Sequence, residues 1–189
     1  MQKQLNSGTS TEDIGLLVDR AIEGDASAFG GLYDMYVDRV YRHIFYRTGN
    51  TSDAEDITQQ TFIKAWKAIG QYKRTDIPFL AWLIKISHNL VIDFYRSGKN
   101  KLSVNIDDID IVSDSNPVQL AESRYNRQQI RQAIGKLKGE QQQVILMRFI
   151  EDFSYTEIAA TLGKSEGTVR VILHRGLVEL RKIIEKVQQ

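Results

Sequence analysis

Apolar positions recur at intervals of three and four along most of the chain and nowhere alternate convincingly. This pattern predicts helices and no sheet. The clearest period in the first half covers residues 53–72, where Thr58, Phe62, Ala65, Trp66, Ile69 and Tyr72 share one face and are expected in the core. The face opposite carries Asp56, Gln60, Ile63 and Lys67 at i, i+4, i+7 and i+11, with Gln59 beside them. An isoleucine among polar groups marks that face as a candidate partner surface. The next helix is expected to have Pro78 one or two residues inside its start, capped by Thr75 or Asp76, and to run to about Gly98. Proline's fixed φ and missing N–H suit a first helical turn. Leu80, Leu83, Leu90 and Phe94 form its core side; Lys85, Asn89, Ile92, Arg96 and Lys99 form the other, bordered by Trp82. Two helices come earlier, at about 11–23 and 26–48, separated by Gly24-Asp25. Four follow, at about 122–136, 140–150, 155–162 and 166–187.

Residues 103–123 break the period. They are rich in Ser, Asn and Asp, contain Pro117 and read as a linker. The expected architecture is therefore all-α: two helical domains, 1–101 and 124–189, joined by a flexible acidic linker, 102–123. Charge follows the same division. The net charge of +1 hides 13 Lys/Arg against 12 Asp/Glu in 1–101, five acids and no base in 102–123, and 12 Lys/Arg against seven Asp/Glu in 124–189. A basic C-terminal block behind an acidic strip suggests a polyanionic partner. Fully extended, the linker reaches about 70 Å at ~3.3–3.6 Å per residue, which spans about twenty base pairs at ~3.4 Å per step.

Within the second half, Ser154-Tyr155-Thr156-Glu157 is a capping box. Ala159 is small enough for a second helix to approach, Gly163 stands where a sharp turn asks for positive φ, and Ser165 can cap the next helix. Val169, Ile172, Leu173 and Leu180 return the core stripe. These offsets make a helix-turn-helix. The opposite side of its second helix carries Gly167, Val171, His174 and Arg175, with Arg170 on the flank. An arginine there can bridge a guanine edge or hold a phosphate. In the first half, Tyr72-Lys73-Arg74 and Trp82 lie beside the stripe of Lys85, Asn89 and Arg96. Bases interleaved with aromatics suit an unstacked single strand: charge for phosphates, ring faces for bases.

Other chemistries lack their residues. There is no cysteine, which excludes disulfides, thiolate metal sites and cysteine catalysis. His43, His88 and His174 are scattered, and no H-E-x-x-H or G-x-S-x-G occurs. Gly163-Lys164-Ser165 ends like a phosphate loop, but Ile158 stands where its first glycine belongs. Asp107-Asp108 lies in the linker, a poor support for catalytic carboxylates. No catalytic residue, metal or cofactor is expected. Residues 1–10 are polar, and no apolar run approaches a membrane span, so no membrane insertion is expected and the cytoplasm is the expected location.

The chain resembles the extracytoplasmic-function (ECF) group of bacterial sigma factors over nearly its whole length. Asp53-Ala-Glu-Asp-Ile-Thr-Gln-Gln-Thr-Phe-Ile-Lys-Ala-Trp66 is similar to the family's polymerase-binding helix. Pro78-Phe-Leu-Ala-Trp-Leu-Ile-Lys-Ile-Ser-His-Asn-Leu-Val-Ile-Asp93 resembles the helix that melts and reads the minus-ten element. Phe153-Ser-Tyr-Thr-Glu-Ile-Ala-Ala-Thr-Leu-Gly, with Gly167-Thr-Val-Arg-Val-Ile-Leu-His-Arg175, resembles the minus-thirty-five reader. The resemblance implies that Asp56, Gln59 and Gln60 contact core RNA polymerase, and Ile63, on the same exposed face, is expected to join them. It implies that Asn89 helps hold a flipped minus-ten base, with Tyr72, Lys73 and Arg74 in the segment forming its pocket and Trp82, Lys85 and Arg96 alongside. It places Arg170, His174 and Arg175 at the minus-thirty-five DNA, and Gly167 and Val171, on the same side of the helix, are expected there with them. Gln60 stands where glutamate is commoner, Val171 where a small polar residue is frequent, and Leu177 where another base is often found. Promoter DNA, both duplex and melted, and an anti-sigma factor are the implied further partners. A stand-alone helix-turn-helix regulator is the alternative; binding to core polymerase separates the two.

Overall fold

The computed structural model describes residues 11–74, 77–97 and 128–187. Among these, all regular structure is helical: α1 (Thr11–Ile22), α2 (Ala26–Thr48), α3 (Thr51–Ala68) with a 3-10 turn at Ile69–Gln71, and α4 (Phe79–Arg96). Then come α5 (128–135), α6 (Gly139–Phe149), α7 (Tyr155–Leu162) and α8 (Glu166–Val187). The expected linker at 102–123, the caps Thr75 or Asp76, Gly98, Lys99 and a helix start at Glu122 lie outside the described residues.

Local chemistry sets the ends. Asp25 caps α2, its carboxylate accepting from the N–H groups of Ser27 and Ala28 at 2.9 and 3.1 Å, and Gly49 closes that helix at φ 70°. Asn50 caps α3 through the N–H of Asp53 at 3.0 Å, so the helix starts two residues before the apolar period does. Its last turn tightens to 3-10 at residue 69, ahead of the expected end at Tyr72. Pro78 is a correction. It stands at the N-cap of α4 with extended ψ, outside the helix, and its carbonyl accepts from the N–H of Trp82.

Helices α1 to α4 enclose one core, with Leu32, Val40, Ile44, Leu83, Ile84 and Val91 sealed from solvent. Trp66 is also a correction: expected in that core, it is 37% exposed. Its ring leans on Phe29 of α2 at 4.9 Å and stops at the edge of the bundle. Helices α5 to α8 bury Val144, Leu146, Met147, Ile158, Val169 and Leu173, most of them continuous with the cluster of the first four helices.

The two domains touch, which the pattern does not foretell. Helix α4 packs against α7 and α2 against α6. Arg39 of α2 donates to the carbonyl of Glu151 at 2.6 Å and stands 3.4 Å from its fully buried carboxylate. Arg131 of α5 lies over the ring of Phe45, 4.7 Å from its centre.

Candidate polymerase and nucleic-acid interfaces

Helix α3 buries Ala54, Ile57, Thr58, Thr61, Phe62 and Ala65 and turns Asp56, Gln59, Gln60 and Ile63 to solvent. Thr58 and Thr61 are tolerated inside because each hydroxyl donates to the carbonyl four residues back, at 2.7 Å. The exposed ridge has a hollow on each side. Towards α4 is a cleft of 330 Å³ edged by Asp53, Asp56, Gln60 and Asp93. Burial first, and then the nearby Asp56, push the Asp53 carboxyl above the usual range. Towards α2 is a shallower, mainly apolar groove of 460 Å³ among Phe29, Tyr33, Phe62, Ile63 and Trp66. The face thus joins carboxylates, amides and aromatic surface within one helix width. Asp93, Phe29 and Tyr33 belong to it but escape a reading of α3 alone, because they come from neighbouring helices.

Helix α4 buries Leu80, Leu83, Leu90 and Val91 and exposes Lys85, Asn89 and Arg96, with Ile92 partly covered. Trp82 is half-buried, stacked obliquely on Tyr72 at 5.1 Å and Phe79 at 5.6 Å. Tyr72 is itself buried, and its hydroxyl donates to the carbonyl of Ile77 at 2.7 Å, tying the loop to the start of α4. The loop cations differ from each other. Lys73 is exposed, whereas Arg74 pairs with Asp19 of α1 at 2.9 Å and lies against Gly15, where any Cβ would collide with its guanidinium. Trp82, Lys85, Asn89 and Arg96 are therefore brought to the open side; Tyr72 and Arg74 are turned inward or sideways.

Behind Asn89, the α2–α4 seam holds an unusual pair. Arg47 is buried, and its Nη1 lies 2.6 Å from Nδ1 of His88, which must accept. Burial, then the charge of Arg47, lowers His88 to about 4. His43, sealed nearby with neither ring nitrogen hydrogen-bonded, is pushed well below its ordinary value by burial first and Arg47 next.

In the second domain, the Ser154 hydroxyl accepts from the N–H of Glu157 at 3.2 Å while the Glu157 carboxylate takes the N–H of Ser154 at 2.8 Å. This is the expected capping box. Gly163 turns the chain at φ 63°, and Ser165 receives the N–H of Thr168 at 3.2 Å. Thr156 donates to Glu166 at 2.6 Å and so ties α7 to α8. Val169 and Leu173 are buried; Gly167, Arg170, Val171, His174 and Arg175 are all exposed. Arg170 is steadied over the Tyr155 ring, 4.0 Å from its centre, and 3.4 Å from Glu166.

A tight helix pair whose second helix presents basic side chains to solvent is the arrangement that defines the helix-turn-helix class of protein. It is joined here to a second helical domain with its own basic-amide stripe. Comparison with known proteins gives the family. Residues 32–101 match Sigma-70 region 2 and residues 127–180 match Sigma-70, region 4. The ECF RNA polymerase sigma factor SigW of Bacillus subtilis is 32% identical over 170 residues, covering 85% of this chain and 90% of SigW. BldN of Streptomyces coelicolor, another ECF sigma factor, is 37% identical over 174 residues, which is 89% of this chain. The chain spans 64% of the length of BldN, and 61% of SigE of Mycolicibacterium smegmatis, which is 36% identical. Among solved structures, CnrH in complex with the cytosolic domain of CnrY superposes with a TM-score of 0.68 at 26% identity, over 90% of this chain and 96% of CnrH. The chain belongs to the ECF RNA polymerase sigma factors.

Proposed function

We propose that this chain binds core RNA polymerase, directs it to promoters with minus-thirty-five and minus-ten elements, and promotes melting of the DNA. It acts by binding, without covalent chemistry of its own, in the bacterial cytoplasm. In this reading residues 1–101 form the polymerase and minus-ten domain, 102–123 the linker and 124–189 the minus-thirty-five domain. Asp56, Gln59, Gln60 and Ile63 grip the polymerase, and Trp82, Lys85, Asn89 and Arg96 with Lys73 hold the melted strand. Gly167, Arg170, Val171, His174 and Arg175 read the duplex. Tyr72 and Arg74 shape the loop of the minus-ten site from behind. An anti-sigma partner is part of the proposal, supported by the family and by CnrH, which was solved with the domain of another protein bound to it.

The observation that carries the reading is the exposure, on one chain, of three faces of different chemistry: the acidic-amide-apolar face of α3, the basic-amide stripe of α4 and the α8 face of the helix-turn-helix. Duplex binding alone would not ask for the first two. Run-off transcription with core polymerase on a promoter library, with and without this chain, is the test. Chain-dependent transcripts from defined start sites are expected; DNA binding with no polymerase association overturns the reading in favour of a stand-alone regulator. The α3 face has its own check. Asp56→Ala combined with Gln60→Ala is expected to weaken polymerase capture, with stability changed by no more than about 0.5 kcal/mol because both side chains are exposed. Wild-type capture by the double variant would remove that face from the interface.

A further inference from the structure

Gly167 stands in the first turn of α8, where the chain itself gives no reason for a glycine. Its φ is not positive. A Cβ built there meets nothing nearer than Ser165 Oγ at 3.9 Å, so no neighbour within the described residues needs the space. Glycine is the poorest helix former after proline. One turn on, Val171 is 48% exposed. It is an apolar, stiff side chain in the middle of a face otherwise made of Arg170, His174 and Arg175, all open to solvent. Residues four apart on a helix are surface neighbours. The bare backbone at Gly167 and the isopropyl group of Val171 thus leave a small apolar notch, flanked by Arg170, His174 and Arg175, in the first two turns of the helix. Those are the turns that reach base edges when a helix-turn-helix enters the major groove.

An A·T pair shows an apolar group in the major groove, the C5-methyl of thymine, which a G·C pair lacks. We propose that Gly167 and Val171 form a seat for that methyl group, so that α8 selects a thymine at one position of the duplex element it reads. The proposal rests on the reading of α8 as the promoter-reading helix. It accounts for two residues that the fold leaves unexplained: a glycine with nothing against it, and a valine with nothing over it. It also assigns a division of labour, in which Arg175 supplies the polar or phosphate contact and the notch supplies shape.

The test removes the methyl and nothing else. The full chain, assembled with core RNA polymerase, selects from duplex libraries with an eight-base-pair random window upstream of a fixed minus-ten region. Each selected duplex is then remade with deoxyuridine at each thymine in turn. One position is expected to bind roughly 3- to 5-fold more weakly as uracil, the effect of one buried methyl, and Val171→Ala is expected to bind both forms alike. Gly167→Ala is expected to keep or raise the melting temperature while weakening binding to the thymine duplex, a combination that misfolding cannot produce. Selection of a sequence with no position sensitive to the methyl, equal sensitivity in Val171→Ala, or an unaltered Gly167→Ala variant would each overturn the seat while leaving α8 as the reader. No enrichment of any sequence would instead bring down the reading of α8 itself, and the seat with it.

Discussion

Asn89 is flanked on its stripe by Lys85 and Arg96, yet its amide can do what neither cation can: donate and accept at once along the edge of an unstacked base. Extruding a base costs a few kcal/mol that its pocket must return. Asn89→Ala is therefore expected to leave polymerase binding and closed-complex formation nearly intact and to impair strand opening. A template already mismatched at the minus-ten element should restore much of the activity. Permanganate footprinting and run-off transcription on paired and mismatched templates measure both arms; an equal defect on the two would speak against base capture. The exposure of Asn89 was legible, because a 3.6-residue period assigns each position of a long amphipathic helix to a side. The orientations of Arg74 and Trp66 were not. Arg74 is drawn to Asp19 on α1, and Trp66 is left at an edge that exists only where α2 ends its cover of α3.

At the scale of elements, the helix-turn-helix owes its geometry to interactions spanning three to five residues. The capping box satisfies two otherwise unpaired N–H groups, so Ser154→Ala should cost about 1 kcal/mol. Urea unfolding checks this, and duplex binding under folding conditions should survive. The α2–α4 seam responds to acid. His88 titrates near 4 when folded and near its ordinary 6.5 when unfolded. Between those values the unfolded chain takes up the proton and the folded one does not, so stability present at neutral pH is lost as pH falls from about 6.5 to 4. His43 acts in the same direction. The share of His88 is on the order of 1 kcal/mol, since the ring is partly exposed and screened by solvent. Melting temperatures at pH 7 and 5 should show the fall, and His88→Gln, whose amide oxygen can still accept from Arg47, should reduce it. An acid limb unchanged by that substitution would assign the effect elsewhere.

For the whole molecule, the domain contact turns on Glu151. Burial raises its carboxyl to about 7, and the cations Arg39 and Arg42 only partly offset this. A carboxyl that titrates near 7 when covered and near 4.5 in water favours the covered state at low pH. That preference fades as pH rises from about 4.5 to 7. Its full size is on the order of 2–3 kcal/mol. The two domains are therefore expected to separate more readily at pH 8 than at pH 5.5, and Glu151→Gln, neutral throughout, should flatten the response. Small-angle scattering across that range measures it; a radius of gyration with the same pH dependence in both proteins would exclude Glu151 as the cause.

The sequence alone determined the all-helical class, the bounds of α2, α7 and α8, the capping box, the turn at Gly163, and the exposure of Lys85, Asn89 and Arg96 on α4 and of Gly167, Arg170, Val171, His174 and Arg175 on α8. All of these depend on groups within one or two helical turns of each other, so their spacing is written in the chain. Tertiary structure alone decided which polar side chains are spent inside the molecule. Arg74 meets Asp19 across 55 residues and Arg39 meets Glu151 across 112. It also decided that Asp93 of α4, and Phe29 and Tyr33 of α2, complete the hollows beside α3. Such pairs leave no period, because a contact made by the closing of long loops is set by how whole helices pack and not by the residues that lie between them.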